Sequence, residues 1–281
     1  MKTFIIGFIT LSIISTPSIA DEACLFAQRS IVQLNASTLP DYQKLGEVLS
    51  AVMSCRDYEK QDDIHNSILV AANNGSVNSQ ALLAEFYRKT NQNEKSLKWS
   101  RVLSDRGIPE FTKYLEGLHT KLFGTKEKRT AQELFKIAKS ERHHPLFSEE
   151  VFNLSLAEAF DEGNDLIKFR ASMQLGNLNL YNFNSELNQE FGDYGFSLGN
   201  ARKNYDDALK VASLMNDKAK QASAKYASVM SYDYEKDHVN KCSLLSDLED
   251  FYRKFQHQIL KDKSLDFLQG AIQSQKASCQ N

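Results

Sequence analysis

Proline is scarce in this chain. There are four in 281 residues, and one of them is Pro17 near the start. That scarcity argues against a sandwich crowded with turns and favours long stretches of helix. Clustered charge is missing too. The 34 Lys and Arg are scattered among 36 Asp and Glu, for a formal charge of −2. The chain therefore has neither the basic footprint of a nucleic-acid binder nor the polybasic patch of a membrane-surface protein. No CxxC or HxxxH spacing offers a zinc site, no SxxK or glycine-rich phosphate loop occurs, and no carboxylate pair stands in an apolar setting. No cofactor, metal ligand or catalytic residue is assigned from the sequence. Strand signals are weak as well, because Asn74-Gly75 sits between helical segments rather than alternating ones.

The long apolar run that does exist lies at the start. Residues 4–14 (FIIGFITLSII) follow Lys2 and precede Thr16-Pro17-Ser18-Ile19-Ala20, which places small residues Ser18 and Ala20 at a cleavage site. The run is shorter than the roughly 20 residues that span a bilayer. Residues 1–20 therefore read as a cleavable signal peptide with its site at Ala20/Asp21. Cys24 is preceded by Asp21-Glu22, which do not make a lipobox. The expected destination is the periplasm or the exterior, and the mature chain is expected to lack an integral membrane segment.

All four cysteines, Cys24, Cys55, Cys242 and Cys279, fall after the leader. An even set in an oxidising compartment suggests disulfides. Three pairings are possible, and clustering at the two ends favours Cys24–Cys55 and Cys242–Cys279. Each would close a loop that stabilises by roughly 3–4 kcal/mol in the chain-entropy model.

The rest of the chain carries a helical period. Leu82, Leu83, Phe86 and Tyr87 share one helix face, and Trp99, Val102 and Leu103 another. The breaks are short and polar: Asn73-Asn74-Gly75-Ser76, Thr90-Asn91-Gln92-Asn93 and Arg106-Gly107-Ile108-Pro109. Asn and Gly there suit helix C-terminal caps, and Pro109 suits the first turn of the next helix. Trp99 to Phe135 and Pro109 to Pro145 are both 36 residues apart, which points to an internal repeat.

These residues support a family resemblance. Ala71, Ala72 and Gly75, then Ala81, Leu83, Ala84 and Tyr87, then Ser96, Trp99, Leu103 and Gly107 resemble Sel1-like repeats, the α/α relatives of tetratricopeptide repeats. The chain departs from that pattern where a Gly is missing after Tyr87 and where Phe135 replaces the Trp. The resemblance implies an all-α fold, an α-solenoid of antiparallel helix pairs in an exported bacterial protein. The expected organisation is a signal peptide (1–20), an N-terminal helical cap (21–60), helical repeats (61–176), an irregular Asn- and aromatic-rich segment (177–203), and C-terminal helical repeats with a cap (204–281).

Three patterns could imitate chemistry. Gly195-Phe196-Ser197-Leu198-Gly199 fits GxSxG, but no buried strand precedes Ser197. His143-His144 reads as an exposed turn before Pro145, and Asp62-Asp63 near His65 as acidic residues near a helix start. The aromatic residues carry more promise. Tyr181, Phe183, Phe191, Tyr194 and Phe196 fall in the irregular segment, where rigid, amphipathic rings suit a binding surface. The expected function is non-catalytic binding of a protein partner in the cell envelope, as an adaptor or inhibitor. An immunity protein that neutralises a secreted effector enzyme is the alternative, and an envelope hydrolase is the rival from another class.

Overall fold

A helix closed by a left-handed residue is the recurring unit of this chain. The computed structural model describes residues 19–34, 40–140 and 144–279. Residues 1–18 of the expected leader, and His143, lie outside the described residues. The helices are α1 (Ile19–Leu34), α2 (Tyr42–Ser54), α3 (Tyr58–Asn73), α4 (Val77–Lys89), α5 (Asn93–Asp105), α6 (Pro109–Phe123) and α7 (Ala131–Lys139). After these come α8 (Pro145–Asp161), α9 (Asp165–Asn182), α10 (Glu186–Phe191), α11 (Leu198–Leu214), α12 (Lys218–Glu235), α13 (His238–Ile259) and α14 (Leu268–Ser278). Among the described residues there is no strand, so the fold is all-α as expected.

Six helix ends share one geometry. Gly75, Asn91, Gly107, Gly163, Asn216 and Lys236 have φ between 52° and 93°. In each case the following residue donates its N–H back to the carbonyl five positions earlier. Ser76 bonds Ala71 at 2.9 Å, Ile108 bonds Leu103 at 3.1 Å, and Asp237 bonds Tyr232 at 3.2 Å. This is the Schellman closure, and it satisfies carbonyls that a helix C-terminus otherwise leaves open. The next helix starts two residues after the left-handed one every time, at Val77, Asn93, Pro109, Asp165, Lys218 and His238. Gly75, Asn91 and Gly107 are evenly spaced, 16 residues from 75 to 91 and 16 from 91 to 107. Pro109 and Pro145 stand in the first turns of α6 and α8, where a missing N–H costs nothing.

The chain divides into two compact units after Leu82. In the first, α1 packs on α2 and α3, burying Ala27, Ile31, Leu45, Val48, Leu49, Ile64 and Ile68. Asp41 and Asp57 cap α2 and α3 by accepting from Lys44 and Lys60 N–H. The buried Asn78 amide donates to Leu34 O at 2.9 Å and accepts from Asp41 N at 3.0 Å, tying down both flanks of one connection. Cys24 and Cys55 form a disulfide here, and Cys242 and Cys279 form one in the second unit, which is the pairing expected from their clustering.

In the second unit the helices pack largely in chain order: α5 on α6, α7 on α8, α8 on α9, α9 on α11, α11 on α12, α12 on α13, and α13 on α14. Separate apolar clusters sit at successive seams. One joins Leu134, Phe135, Phe152, Ile167 and Leu175. Another joins Phe169, Ala208, Ala212 and Ala224, and a third joins Leu245, Leu248, Tyr252, Leu268 and Ile272. Helices α9 and α11 approach closely at Gly176, where an added Cβ would stand 2.3 Å from the Tyr205 ring. The Tyr205 hydroxyl donates to Asn177 Oδ1 at 2.9 Å beside that contact.

The irregular segment is shorter than the sequence suggested. Helix α9 continues to Asn182 and α11 begins at Leu198, so the interruption is residues 183–197, itself holding α10 and a turn of 3-10 helix at Gly192–Tyr194. The Asn-rich stretch is helical, and the Asn179 and Asn182 side chains donate to the carbonyls of Leu175 and Leu178 four residues back.

Candidate functional site

The second unit carries a charged groove between α5, α6 and α8. Lys98 and Arg101 are one turn apart on α5, and Glu149, Glu150 and Asn153 lie on the first turns of α8. Lys98 Nζ meets Glu149 Oε2 at 2.8 Å. Arg101 Nε donates to Glu150 Oε2 at 2.9 Å, and its Nη2 grips the other oxygen. His119 of α6 lies 2.8 Å from Glu150 Oε1. Farther along, Arg129 Nε donates to Glu158 Oε1 at 2.8 Å. Two adjoining cavities of about 520 and 500 Å³ share Arg101 and Asn153 in their walls.

Glu150 is almost wholly enclosed. Burial pushes its carboxyl up, but hydrogen bonds from His119 and Arg101, and the Arg101 charge, win and bring it down to about 2. A carboxylate this firmly ionised only accepts, so His119 Nε2 carries the proton of their shared bond. The guanidinium is strengthened in turn. Burial works against the Arg101 charge, and the bond to Glu150 reverses that. Asp105 at the groove mouth moves the other way, because burial raises its carboxyl more than nearby Arg101 lowers it. The wall thus presents fixed charges and fixed hydrogen-bonding directions, and Glu150 has no proton to lend near neutral pH.

Residues 183–197 fold back onto α4 and α5 to complete the wall. Trp99, 0 % exposed, meets the Phe191 ring at 5.3 Å and the Tyr194 ring at 5.8 Å between centroids. Lys98 Nζ stands 5.7 Å over the Phe196 ring, and Lys95 pairs with Glu190 at 2.6 Å. The Tyr87 hydroxyl also bonds Glu190, and burial together with that bond pushes its phenol up. Arg106 donates to the Tyr194 hydroxyl at the groove mouth.

The five aromatic residues singled out in the sequence separate into three groups. Tyr194 lines the groove. Phe191 and Phe196, 0 % and 1 % exposed, are interior residues and offer no area to a partner. They are large apolar rings that pack on Trp99 and the Lys98 side chain of α5, which is the physical reason they turn inward. Tyr181 is 70 % exposed at the end of α9, and Phe183 packs edge-on against Tyr234 at 6.0 Å; neither lines the groove.

The patterns that imitate chemistry have structural duties. The Ser197 hydroxyl caps α11 by accepting from Asn200 N at 3.0 Å, and its own N–H donates to Asn179 Oδ1 at 3.1 Å. His144 Nδ1 caps α8 by accepting from Leu146 N. Asp62 and Asp63 fall in the second turn of α3, whose cap is Asp57. Among the described residues, no three His, Cys, Asp or Glu side chains converge as a metal site, and no helix is long and apolar enough to cross a membrane.

Sequence reasoning missed Lys98, Arg101, His119, Glu149, Glu150 and Asn153 as a group. Their local spacing signals polar helix faces, but the ion pairs join residues 49 and 51 positions apart. No protein-family model matches this chain, and no curated protein is significantly similar to it.

Proposed function

We propose that this is an exported protein that works by binding, and that the groove of α5, α6 and α8 holds a segment of a protein partner in the cell envelope. The groove wall is the observation that carries this reading. Glu149 and Glu150 of α8 are engaged by Lys98 and Arg101 of α5, so this part of the surface is preorganised to be matched rather than to react. Glu150, held ionised at about 2, supplies neither proton nor base strength to a reaction near pH 7. The half-buried Asn153 amide, shared by both cavities, offers a donor and an acceptor together, which suits a peptide group. Two disulfides support an oxidising compartment. The even turn spacing between Gly75 and Gly107 supports a Sel1-like repeat as part of the same proposal. Within this reading the protein acts as an adaptor or as an inhibitor, an immunity role being the special case in which the partner is a toxic enzyme.

A photo-crosslinking residue in place of Asn153 tests the reading in intact cells. The expected result is a discrete adduct with an envelope protein, absent when the same residue replaces Leu214, which is 81 % exposed on α11. Adducts at neither position, or equally at both, would sink it. Capture of one enzyme at position 153 favours the inhibitor, and capture of several envelope proteins favours the adaptor.

A further inference from the structure

The two disulfides differ in what surrounds them. Cys24 is fully buried and Cys55 nearly so, inside the core of the first unit. Cys242 and Cys279 are only half-buried, and both line an open cavity of about 620 Å³ with His238, Val239 and Ser278. Thiol–disulfide exchange needs a thiolate to reach a sulfur along the S–S axis, so access governs which bond opens first. Cys242 lies in the second turn of α13, near the positive end of that helix, and Cys279 caps the C-terminal end of α14. The buried Lys241 ammonium is held beside them, 2.6 Å from Asp233 Oδ1 and 3.3 Å from Ser278 Oγ.

We propose that Cys242–Cys279 is a thiol-exchange site for low-mass thiols and exposed protein dithiols, whereas Cys24–Cys55 is a permanent staple. A thiolate RS⁻ enters the cavity and attacks Cys279 Sγ. The new bond is RS–Sγ of Cys279, the Sγ–Sγ bond breaks, and its electron pair stays on Cys242 Sγ, which then takes a proton from solvent. Cys242 is the better leaving group because Cys279 stands at the C-terminal end of α14, where the helix disfavours a thiolate. A second thiolate attacking the mixed disulfide releases RSSR and leaves both cysteines as thiols, a two-electron reduction matched by the oxidation of two RSH. The consequence is local. α14 loses its covalent tie to α13 and keeps the packing of Leu268 and Ile272, the Lys276–Glu249 ion pair and the Lys241–Ser278 hydrogen bond.

The test treats the intact oxidised chain with glutathione, quenches by alkylation at intervals and maps all four cysteines by mass spectrometry. Cys242 and Cys279 are expected to open at least about tenfold faster than Cys24 and Cys55, with a glutathione adduct first on Cys279. Opening of all four together, or of Cys24–Cys55 first, overturns the proposal. A second measurement separates local release from unfolding. Hydrogen exchange after partial reduction should speed up in residues 268–278 and leave α1 to α3 protected, and a uniform loss of protection counts against it. Val239→Trp at the cavity wall should slow glutathione by about threefold or more, and an unchanged rate would remove the cavity from the account.

Discussion

Two seams of the second unit join helices by opposite means. At α5/α8 the contact is charged, with Lys98 on Glu149 and Arg101 on Glu150. At α9/α11 it is made by small and aromatic residues, with Gly176 under the Tyr205 ring and Ala201 and Ala208 fully buried. The apolar seam closes to van der Waals distance and leaves no room. The charged seam is bridged by long side chains, and the groove runs along it. One seam therefore supplies cohesion and the other supplies a surface, within a single run of helices.

Removing the hub of the charged seam tests this division most severely. Glu150→Ala strands the Arg101 charge and should cost about 3 kcal/mol in urea unfolding, the low end for a broken ion pair because Arg101 keeps some exposure. Adding Arg101→Met should recover much of that loss. A cost well below 1 kcal/mol would mean the seam stands without its ions. Acid should act on the same seam. The Glu150 carboxyl titrates near 2 when folded and near its ordinary 4.5 when unfolded. Its stabilising contribution is thus complete above the unfolded value and lost as pH falls toward 2, on the order of 3 kcal/mol in all. Glu150→Gln should abolish that part of the acid limb. The apolar seam has no such dependence there, since burial pushes the Tyr205 phenol upward, away from the acid range.

At the apolar seam, Gly176→Ala should destabilise by roughly 1–3 kcal/mol although alanine is the better helix former, because the added carbon meets the Tyr205 ring. A neutral or stabilising result would show that this seam has slack. Ser197→Ala gives the smallest effect, about 1 kcal/mol from a lost helix cap, with crosslinking at Asn153 unchanged. Loss of function with full stability would instead return Ser197 to a chemical role.

The division also explains what could be read from the sequence. Helix faces such as Leu82, Leu83 and Tyr87, the turn at Gly107-Ile108-Pro109, and the cysteine pairing are local or nearly local signals, and each agrees with the structure. The groove is not local. A Lys or Glu on a polar helix face looks the same whether it meets water or a partner some 50 residues away, so nothing near Arg101 announces Glu150. The aromatic segment misled for a related reason. Its rings signal burial and binding alike, and only the position of Trp99 decides that Phe191 turns inward.

The shared turns also govern what insertions and deletions the chain can bear. Each residue advances a helix by about 100°, so one residue gained or lost within a turn would re-aim every face downstream. The six left-handed closures act as phase markers, each fixing where the next helix begins. Residues 124–130 and 183–197 join helices without such a closure, and they are anchored by side chains instead, Arg129 on Glu158 and Phe191 on Trp99. The second of these stretches also carries Tyr194 into the groove wall, so a change in its length would move that wall as well.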